Sequence, residues 1–424
     1  MLVSKNDREV LRALASQIAE IATLPDQKET TSLWKALNGL KPKRPMVMID
    51  QIPWHEMNVD DELTVLAEND FCRALETRLR RTLYCWHHMR ADMVVEPEIE
   101  ISKVIHGMDF GLQRVEKRAE TDPSNDVVSH YYIDQLATEE DLDKIKIPEV
   151  VLDCEATDRA EAMAHEVFDG VLGVRMKGPV PCFAVWDRIT EWHGAETTLW
   201  DLIDRPEHMH SIMSKLTEAN LAMLDQLEEK GLLGCGQVTV HCTGAYTDEL
   251  PAPGFDPEHP RTMDLWTFGM AQIFSEVSPA MHKEFELDYA QKWFERFGLG
   301  YYGCCEPLHN KIDLIDQLPR VRKISMSPWV DVEKGAEAIS GRYVFSRKPS
   351  PAFLADAWDP EAVERDLRET LDRCNEHGCP LELILKDIST VAYQPQRLWE
   401  WSNIAMKVVG GVREETRLRA ANAT

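Results

Sequence analysis

From about residue 94 onward, short runs rich in β-branched and aromatic residues alternate with longer amphipathic segments. This alternation is typical of parallel βα units, because each strand needs a helical crossover to return to the same edge of the sheet. The eight candidate strands are Val94–Ile105, Cys182–Ile189, Gln237–Cys242, Met263–Thr267, Gly300–Cys305, Val321–Met326, Arg342–Phe345 and Leu381–Lys386. Eight such strands predict an α/β fold, a closed (β/α)₈ TIM barrel, with functional groups at the carboxyl ends of its strands.

The first 93 residues follow a different pattern. Leu11, Leu14, Ile18 and Ile21 recur at spacings of three or four, which predicts a helix, and 63–89 indicates a second one. This part shows no alternation of strand and helix. We therefore predict an N-terminal helical cap over residues 1–93 and the barrel over residues 94–424.

The charge balance excludes one class of function and disfavours another. The chain carries 73 acidic and 47 basic residues, a net charge of −26, whereas a nucleic-acid binder needs a basic surface. An anionic membrane surface is disfavoured for the same reason. The sequence has no apolar run of about 18 residues and no signal-like apolar core, and its ten cysteines are expected to be reduced thiols. These features predict a cytoplasmic protein.

The segment YYGCCEPLH carries the most reactive side chains. Cys304, Cys305, Glu306 and His309 follow a predicted strand, and thiolate, carboxylate and imidazole groups all bind zinc. Neighbouring residues on a strand point to opposite faces, so we expect one cysteine to face the barrel and the other the helices. The alternative interpretation is two buried thiols, a carboxylate that caps the next helix and a surface histidine.

A second segment, VTVHCTGAY, places His241 and Cys242 at the end of an earlier strand. Cys242, Cys305 and Glu306 are the predicted metal ligands, because a catalytic zinc takes three protein ligands and one open position. His241 and Glu306 are predicted to be catalytic. The alternative is that His241 is a hydrogen-bonded core residue and that Cys242 only packs.

Further candidates follow other strands. Asp387 is a candidate general acid if burial raises its pKa, and Lys386 and Arg347 are candidates for binding a substrate. Tyr302 and Trp186 are candidates for an aromatic pocket. The alternatives are a loop cap for Asp387, a solvated pair for Arg347 and Lys348, and core packing for the aromatic residues.

The stretch from about 182 to 410 resembles the uroporphyrinogen decarboxylase superfamily. The resemblance lies in PCFAVWDRITEWHGAETTLWDLIDRPEHMHSIM, in DLWTFGMAQIFSEVSPAMHKEFELDYAQKWFERFG and in the segments YYGCCEPLHNKID and LELILKDIST. It implies a (β/α)₈ barrel with either porphyrinogen decarboxylation or corrinoid-linked methyl transfer, as in anaerobic bacteria and archaea. The arginine-rich motif of the decarboxylases has no counterpart in the first 110 residues.

Within the methyl-transfer branch, the thiol methyltransferases bind zinc through a His-x-Cys motif and a later cysteine. Cys305 matches the first cysteine, but Gly303 stands at the histidine position and the strand ending at Arg347 has no cysteine. The resemblance therefore implies enzymes that cleave methyl ethers. It implies a methyltransferase that moves a methyl group from a small O-methyl substrate to a separate corrinoid protein.

That reading carries expectations about cofactors and partners. No DxHxxG signature occurs in the chain, so cobalamin is expected on the partner protein, and zinc is expected as a Lewis acid. A homodimer is a further expectation from the resemblance. The alternatives are a decarboxylase or other lyase on the same barrel, and a barrel that binds a small molecule without catalysis.

Overall fold

The structure, a computed structural model, describes residues 3–119 and 129–410. Its α-helices are α1 Lys5–Ala22, α2 Pro25–Asn38, α3 Asp70–His88, α4 Cys154–Phe168, α5 Val185–His193, α6 Ala195–Asp204, α7 Pro206–Glu229, α8 Pro279–His282, α9 Asp288–Phe294, α10 Ile312–Ile315, α11 Val332–Ile339, α12 Ala352–Ala355, α13 Pro360–Glu376 and α14 Gln396–Val408. Its strands are β1 Met46–Ile49, β2 Glu98–Ser102, β3 Ile105–His106, β4 Glu116–Ala119, β5 Ser129–Tyr132, β6 Val151–Leu152, β7 Gly173–Lys177, β8 Thr239–Val240, β9 Thr243–Gly244, β10 Trp266–Gly269, β11 Leu299–Tyr302, β12 Val321–Met326, β13 Val344–Arg347 and β14 Leu381–Leu385. None of the described helices has both the length and the apolar content needed to cross a bilayer.

The main sheet is parallel throughout, in the order β1-β14-β13-β12-β11-β10. Phe183 extends it by one parallel bridge to Gly269. All carboxyl ends of these strands therefore meet at one edge, as the βα alternation predicted. The mixed α/β class is confirmed, whereas the hydrogen-bonded ladder of the described residues does not close on itself, and the eight-stranded barrel stays a prediction.

Three of the eight predicted strands, 94–105, 182–189 and 237–242, do not form strands of the main sheet. The segment 182–189 contributes only Phe183 and then becomes α5, whose buried side chains Val185, Trp186 and Ile189 recur at helical spacing. The segment 237–242 forms β8, which pairs antiparallel with β9 in a short hairpin. The segment 94–105 contains β2, which pairs with β7 in a separate two-stranded sheet. Short apolar runs suit a strand and a buried helix equally well, which explains the error at 182–189.

The predicted boundary at residue 94 divides the chain differently from the structure. β1 lies inside the range 1–93, yet it pairs with β14 in the main sheet. Asp92 holds β1 in place, because its carboxylate accepts hydrogen bonds from the backbone amide of Val47 at 2.8 Å and from Arg44. The helices α1 and α3 do pack together, with α4, around a separate apolar core.

The hairpin β8–β9 packs against the main sheet through buried polar contacts. Thr243 donates a hydrogen bond to Glu382 at 2.7 Å, and Lys323 bridges Glu382 at 2.8 Å and the carbonyl of Gly244 at 3.0 Å. All three side chains are fully buried. These contacts hold the tip of the hairpin, His241 and Cys242, against residues that follow the strands.

Candidate active site

Cys304 and Cys305 begin the loop after β11. Gly303, which precedes them, has φ +92°, and a Cβ at this position would meet the side chain of Leu308 at 2.4 Å. The turn ends the alternation of the strand, so both thiols lie on one side, with 3.6 Å between their sulfur atoms. The prediction that one cysteine faces the barrel and the other the helices is therefore wrong.

Donor groups converge on the sulfur of Cys304, which is 4% exposed. Lys386 Nζ donates to this sulfur at 2.9 Å, and Cys305 lies beside it. The hydrogen bond from the Cys305 thiol holds the pKa of Cys304 well below its ordinary value, and the charges of His241 and Lys386 act in the same direction. The same contact raises the pKa of Cys305. Cys304 is thus the thiolate of the pair, and Cys305 carries the proton.

His241 and Cys242 complete a thiol cluster with Cys304 and Cys305. Burial lowers the pKa of His241, but its interactions with the Cys242 and Cys304 thiols outweigh burial and raise it to about 9. Its Nε2 is buried and has no hydrogen-bond partner. Burial raises the pKa of Cys242, yet the charge of Lys348 and the contact with His241 leave it lowered.

Glu306 supports the loop from within the protein. It is fully buried, and its two carboxylate oxygens accept the backbone amides of Ala271 at 3.0 Å and Cys304 at 2.9 Å. Burial, and then the charge of Cys304, raises the pKa of Glu306. Its contacts identify Glu306 as a residue that positions the Cys304 backbone.

The predicted zinc ligands Cys242, Cys305 and Glu306 do not form a donor set in the described part of the chain. No group of three or more His, Cys, Asp or Glu side chains there is arranged to hold a metal ion. Glu306 has both oxygens engaged by backbone amides. Zinc therefore stays a prediction from the sequence, and elemental analysis of protein purified without chelator tests it.

Asp387 lies at the edge of the thiol cluster, next to Lys386. The Cys305 thiol donates to its Oδ2 at 3.5 Å, and Lys386 Nζ lies 3.5 Å from the same atom. Its side chain is 46% exposed, so the burial that the predicted acid role required is missing. Asp387 adjoins a cavity of about 890 Å³ whose walls include Gln51, Trp54, His55 and Arg81.

Asp187 is a functional candidate that the sequence reasoning missed. It lies in the first turn of α5, and Gln272 donates to its carboxylate at 3.0 Å. Burial raises the pKa of Asp187 to about 6, with further upward contributions from the charges of Glu306 and Cys304. An aspartate directly after a strand is a usable signal, but the predicted strand ran through it to residue 189.

Three predicted substrate-binding residues lie away from the cluster. Tyr302 is buried with its hydroxyl 2.7 Å from His282 Nε2, and Trp186 is buried against Phe274. Arg347 faces α13, where Nη1 donates to the carbonyl of Ser327 at 2.5 Å and Nη2 lies 3.9 Å from Asp366. Alternation along β13 sends Arg347 outward, away from the inner face that Lys348 reaches.

The chain has a distant structural likeness to a known protein. The chain matches no protein-family profile and no curated protein sequence. Among solved structures it is similar to a methyltransferase from Methanosarcina mazei, with 12% identity and a TM-score of 0.48, over 89% of this chain and 98% of the other. A likeness at this level establishes neither a family nor an activity.

Proposed function

We propose that this chain is a methyltransferase that moves a methyl group from a small O-methyl compound to a corrinoid carried by a separate protein. The observation that carries the proposal is the arrangement of side chains in and around the thiol cluster, at the carboxyl ends of the main-sheet strands. Within the cluster Cys304 accepts a hydrogen bond from Lys386, and the protonatable carboxyl group of Asp187 is near enough to Cys304 for their charges to interact. Asp387 links the pair to an open cavity large enough for a small aromatic ether.

Cleavage of a methyl ether needs a proton donor. The methyl carbon leaves oxygen without the bonding electrons, so negative charge builds up on the oxygen. In the proposed reaction, protonated Asp187 gives its proton to that oxygen as the carbon–oxygen bond breaks. The ammonium group of Lys386, which contacts Cys304, stabilises the negative charge that develops on this oxygen.

The methyl acceptor reaches the site from outside the chain. The corrinoid protein would supply a reduced cobalt as the nucleophile when it docks over the carboxyl ends of the strands. Residues of the N-terminal part, including Gln51, Trp54 and His55, line the cavity beside Asp387. In the proposed complex, the corrinoid protein contacts these residues. Homodimerisation stays a prediction from the resemblance.

A lyase is the second candidate, because the same groups suit decarboxylation. Lys348 and Lys386 are buried cations near the cluster, and Asp187 in its acid form would protonate a carbon that has lost carbon dioxide. In that reaction a carboxylate substrate would take the place of the ether. The products distinguish the two reactions.

The test incubates the purified protein with methoxylated aromatic and aliphatic compounds and free cob(I)alamin without oxygen. Methylcobalamin formation, followed by absorbance, is expected for the wild type. Asp187→Asn should lower its rate by about a hundredfold, the usual contribution of a general acid. Asp158→Asn, an exposed carboxyl group on α4, is the matched control and should leave the rate unchanged. Carbon dioxide release from a carboxylate analogue, without methyl transfer, would overturn the proposal in favour of a lyase.

A further inference from the structure

Cys304 and Cys305 are adjacent in the chain and in space, and a buried lysine side chain lies beside the first of them. Their sulfur atoms are 3.6 Å apart, and Lys386 Nζ is 2.9 Å from Cys304 Sγ. A cysteine sulfur that contacts a lysine Nζ and has a second cysteine next to it is the arrangement of a redox-sensitive cysteine with its resolving partner. Nothing in the proposed methyl transfer requires the second thiol.

We propose that Cys304 and Cys305 form a modification site at which a small hydroperoxide oxidises the pair to a disulfide between neighbouring residues. This inference does not depend on the proposed methyl transfer. Cys304 is nearly buried, whereas Cys305 is partly exposed, so a reagent of about the size of water reaches the pair more readily than a bulky disulfide.

The reaction has two balanced steps. The sulfur of Cys304 attacks one peroxide oxygen, the oxygen–oxygen bond breaks, and the departing hydroxide takes a proton through Lys386 to become water. Cys304 is then a sulfenic acid. The sulfur of Cys305 attacks Cys304, the sulfur–oxygen bond breaks, and the released hydroxide leaves as a second water with the Cys305 proton. Two sulfurs lose two electrons in all, and one peroxide gains them.

The chain geometry makes this bond reversible. Neighbouring α-carbons are about 3.8 Å apart across a trans peptide, below the usual range of roughly 4.4–6.8 Å for disulfides. A disulfide forced into that spacing is strained, and strained disulfides are reduced more easily. A thiol reductant should therefore restore the pair. Oxidation also removes the thiolate that holds Lys386, so it should stop any chemistry that needs the Cys304–Lys386 pair.

The test treats the full-length protein with increasing hydrogen peroxide, blocks free thiols and digests it with trypsin without reductant. Cleavage after Arg296 and Lys311 yields one peptide, 297–311, that carries Cys304 and Cys305 and no other cysteine. We expect this peptide to lose two hydrogen atoms before the peptide of exposed Cys154 gains oxygen, and dithiothreitol should reverse the change. Lys386→Met should slow the oxidation roughly tenfold.

Two variants separate this proposal from other thiol chemistry. Cys305→Ser should leave Cys304 to gain oxygen atoms instead of losing hydrogen, whereas Cys154→Ser should behave as the wild type. If a variant fails to fold, the mass change of peptide 297–311 from the wild type still tests the proposal. The proposal is overturned if peptide 297–311 in the wild type gains oxygen, stays unchanged while Cys154 is oxidised, or is found linked to the peptide of Cys242.

Discussion

The side chains that lower the pKa of Cys304 include residues far away in the chain. Lys386 lies 82 residues later, and His241 lies on a hairpin well before it. The sequence identified Cys305, Lys386 and His241 as candidates because each was placed near the end of a predicted strand. It gave no means of showing that their side chains meet at one sulfur, because that depends on the turn at Gly303 and on the hairpin β8–β9.

The Lys386–Cys304 contact should be visible in thiol reactivity. Loss of the ammonium in Lys386→Met removes one of the charges that lower the pKa of Cys304, so less thiolate remains at low pH. Alkylation of peptide 297–311 by a small reagent should then rise with pH in the variant and change little with pH in the wild type. Lys334→Met, an exposed lysine on α11, is the control. Identical pH profiles for wild type and Lys386→Met would contradict the assignment.

Asp187 should stabilise the fold only when protonated. Its pKa is raised from 3.8 to about 6 in the folded state, so its favourable contribution is complete below pH 3.8 and is lost as the pH rises through 6. Asp187→Asn should therefore raise the free energy of unfolding at pH 7 by about 2 kcal/mol, after allowance for partial exposure, and leave it unchanged at pH 3.5. Urea unfolding at the two pH values measures this; an equal effect at both would refute it.

The same protonation should set the pH dependence of the proposed activity. Proton donation needs the acid form of Asp187, which falls away above about pH 6. The rate of methylcobalamin formation should therefore decline as the pH rises from 6 to 8 in the wild type. Asp187→Asn should remove this decline along with most of the rate. A wild-type rate that is constant over this range would assign the proton to another group.

At the scale of elements, the strands β10 to β14 agree with their predicted positions to within a few residues, and Val321–Met326 agrees at both ends. Each of these strands is a short segment with apolar residues, bounded by polar or turn residues, which makes the strand recognisable in the sequence. The hairpin β8–β9 was not predictable as an insertion, because its partners Glu382 and Lys323 are polar residues inside other strands. Buried polar pairs of this kind have no periodic signature.

Gly303 directly follows β11, and the turn at this residue brings the thiols of Cys304 and Cys305 together. In Gly303→Ala the new Cβ would meet Leu308 and Ser325, in addition to an unfavourable φ of +92°. Gly378→Ala shares the positive φ, at +65°, but has open space around the new Cβ. We expect a loss of about 1 kcal/mol for Gly378→Ala and about 3 kcal/mol for Gly303→Ala, measured by urea unfolding. Equal losses would show that the loop absorbs the contact.

At the scale of the whole molecule, the N-terminal part contributes a strand to the main sheet. β1 supplies an edge partner to β14, although the sequence placed residues 1–93 in a separate cap. The run Met46–Ile49 is four residues long and lies among prolines, so the sequence reasoning did not identify it as a strand. Short strands next to long helices are easily missed, whereas the α/β class depends on the summed pattern and was predictable.

Removal of residues 1–93 should therefore prevent folding. The deletion leaves β14 without its parallel neighbour and exposes the apolar surface that α1 and α3 cover on α4. We expect the 94–424 fragment to be insoluble, with solubility regained when residues 1–93 are co-expressed as a separate chain. A soluble 94–424 fragment with a cooperative thermal transition by circular dichroism would show that the predicted boundary divides true domains.

The thiol cluster is assembled from chain segments that emerge from the ribosome at different times. His241 and Cys242 are made first, Cys304 and Cys305 next, and Lys386 last, directly after β14. Until β14 docks between β13 and β1, the sulfur of Cys304 lacks its ammonium partner. The growing chain therefore carries ordinary, weakly reactive thiols, and the site becomes chemically active only when synthesis of the sheet is complete.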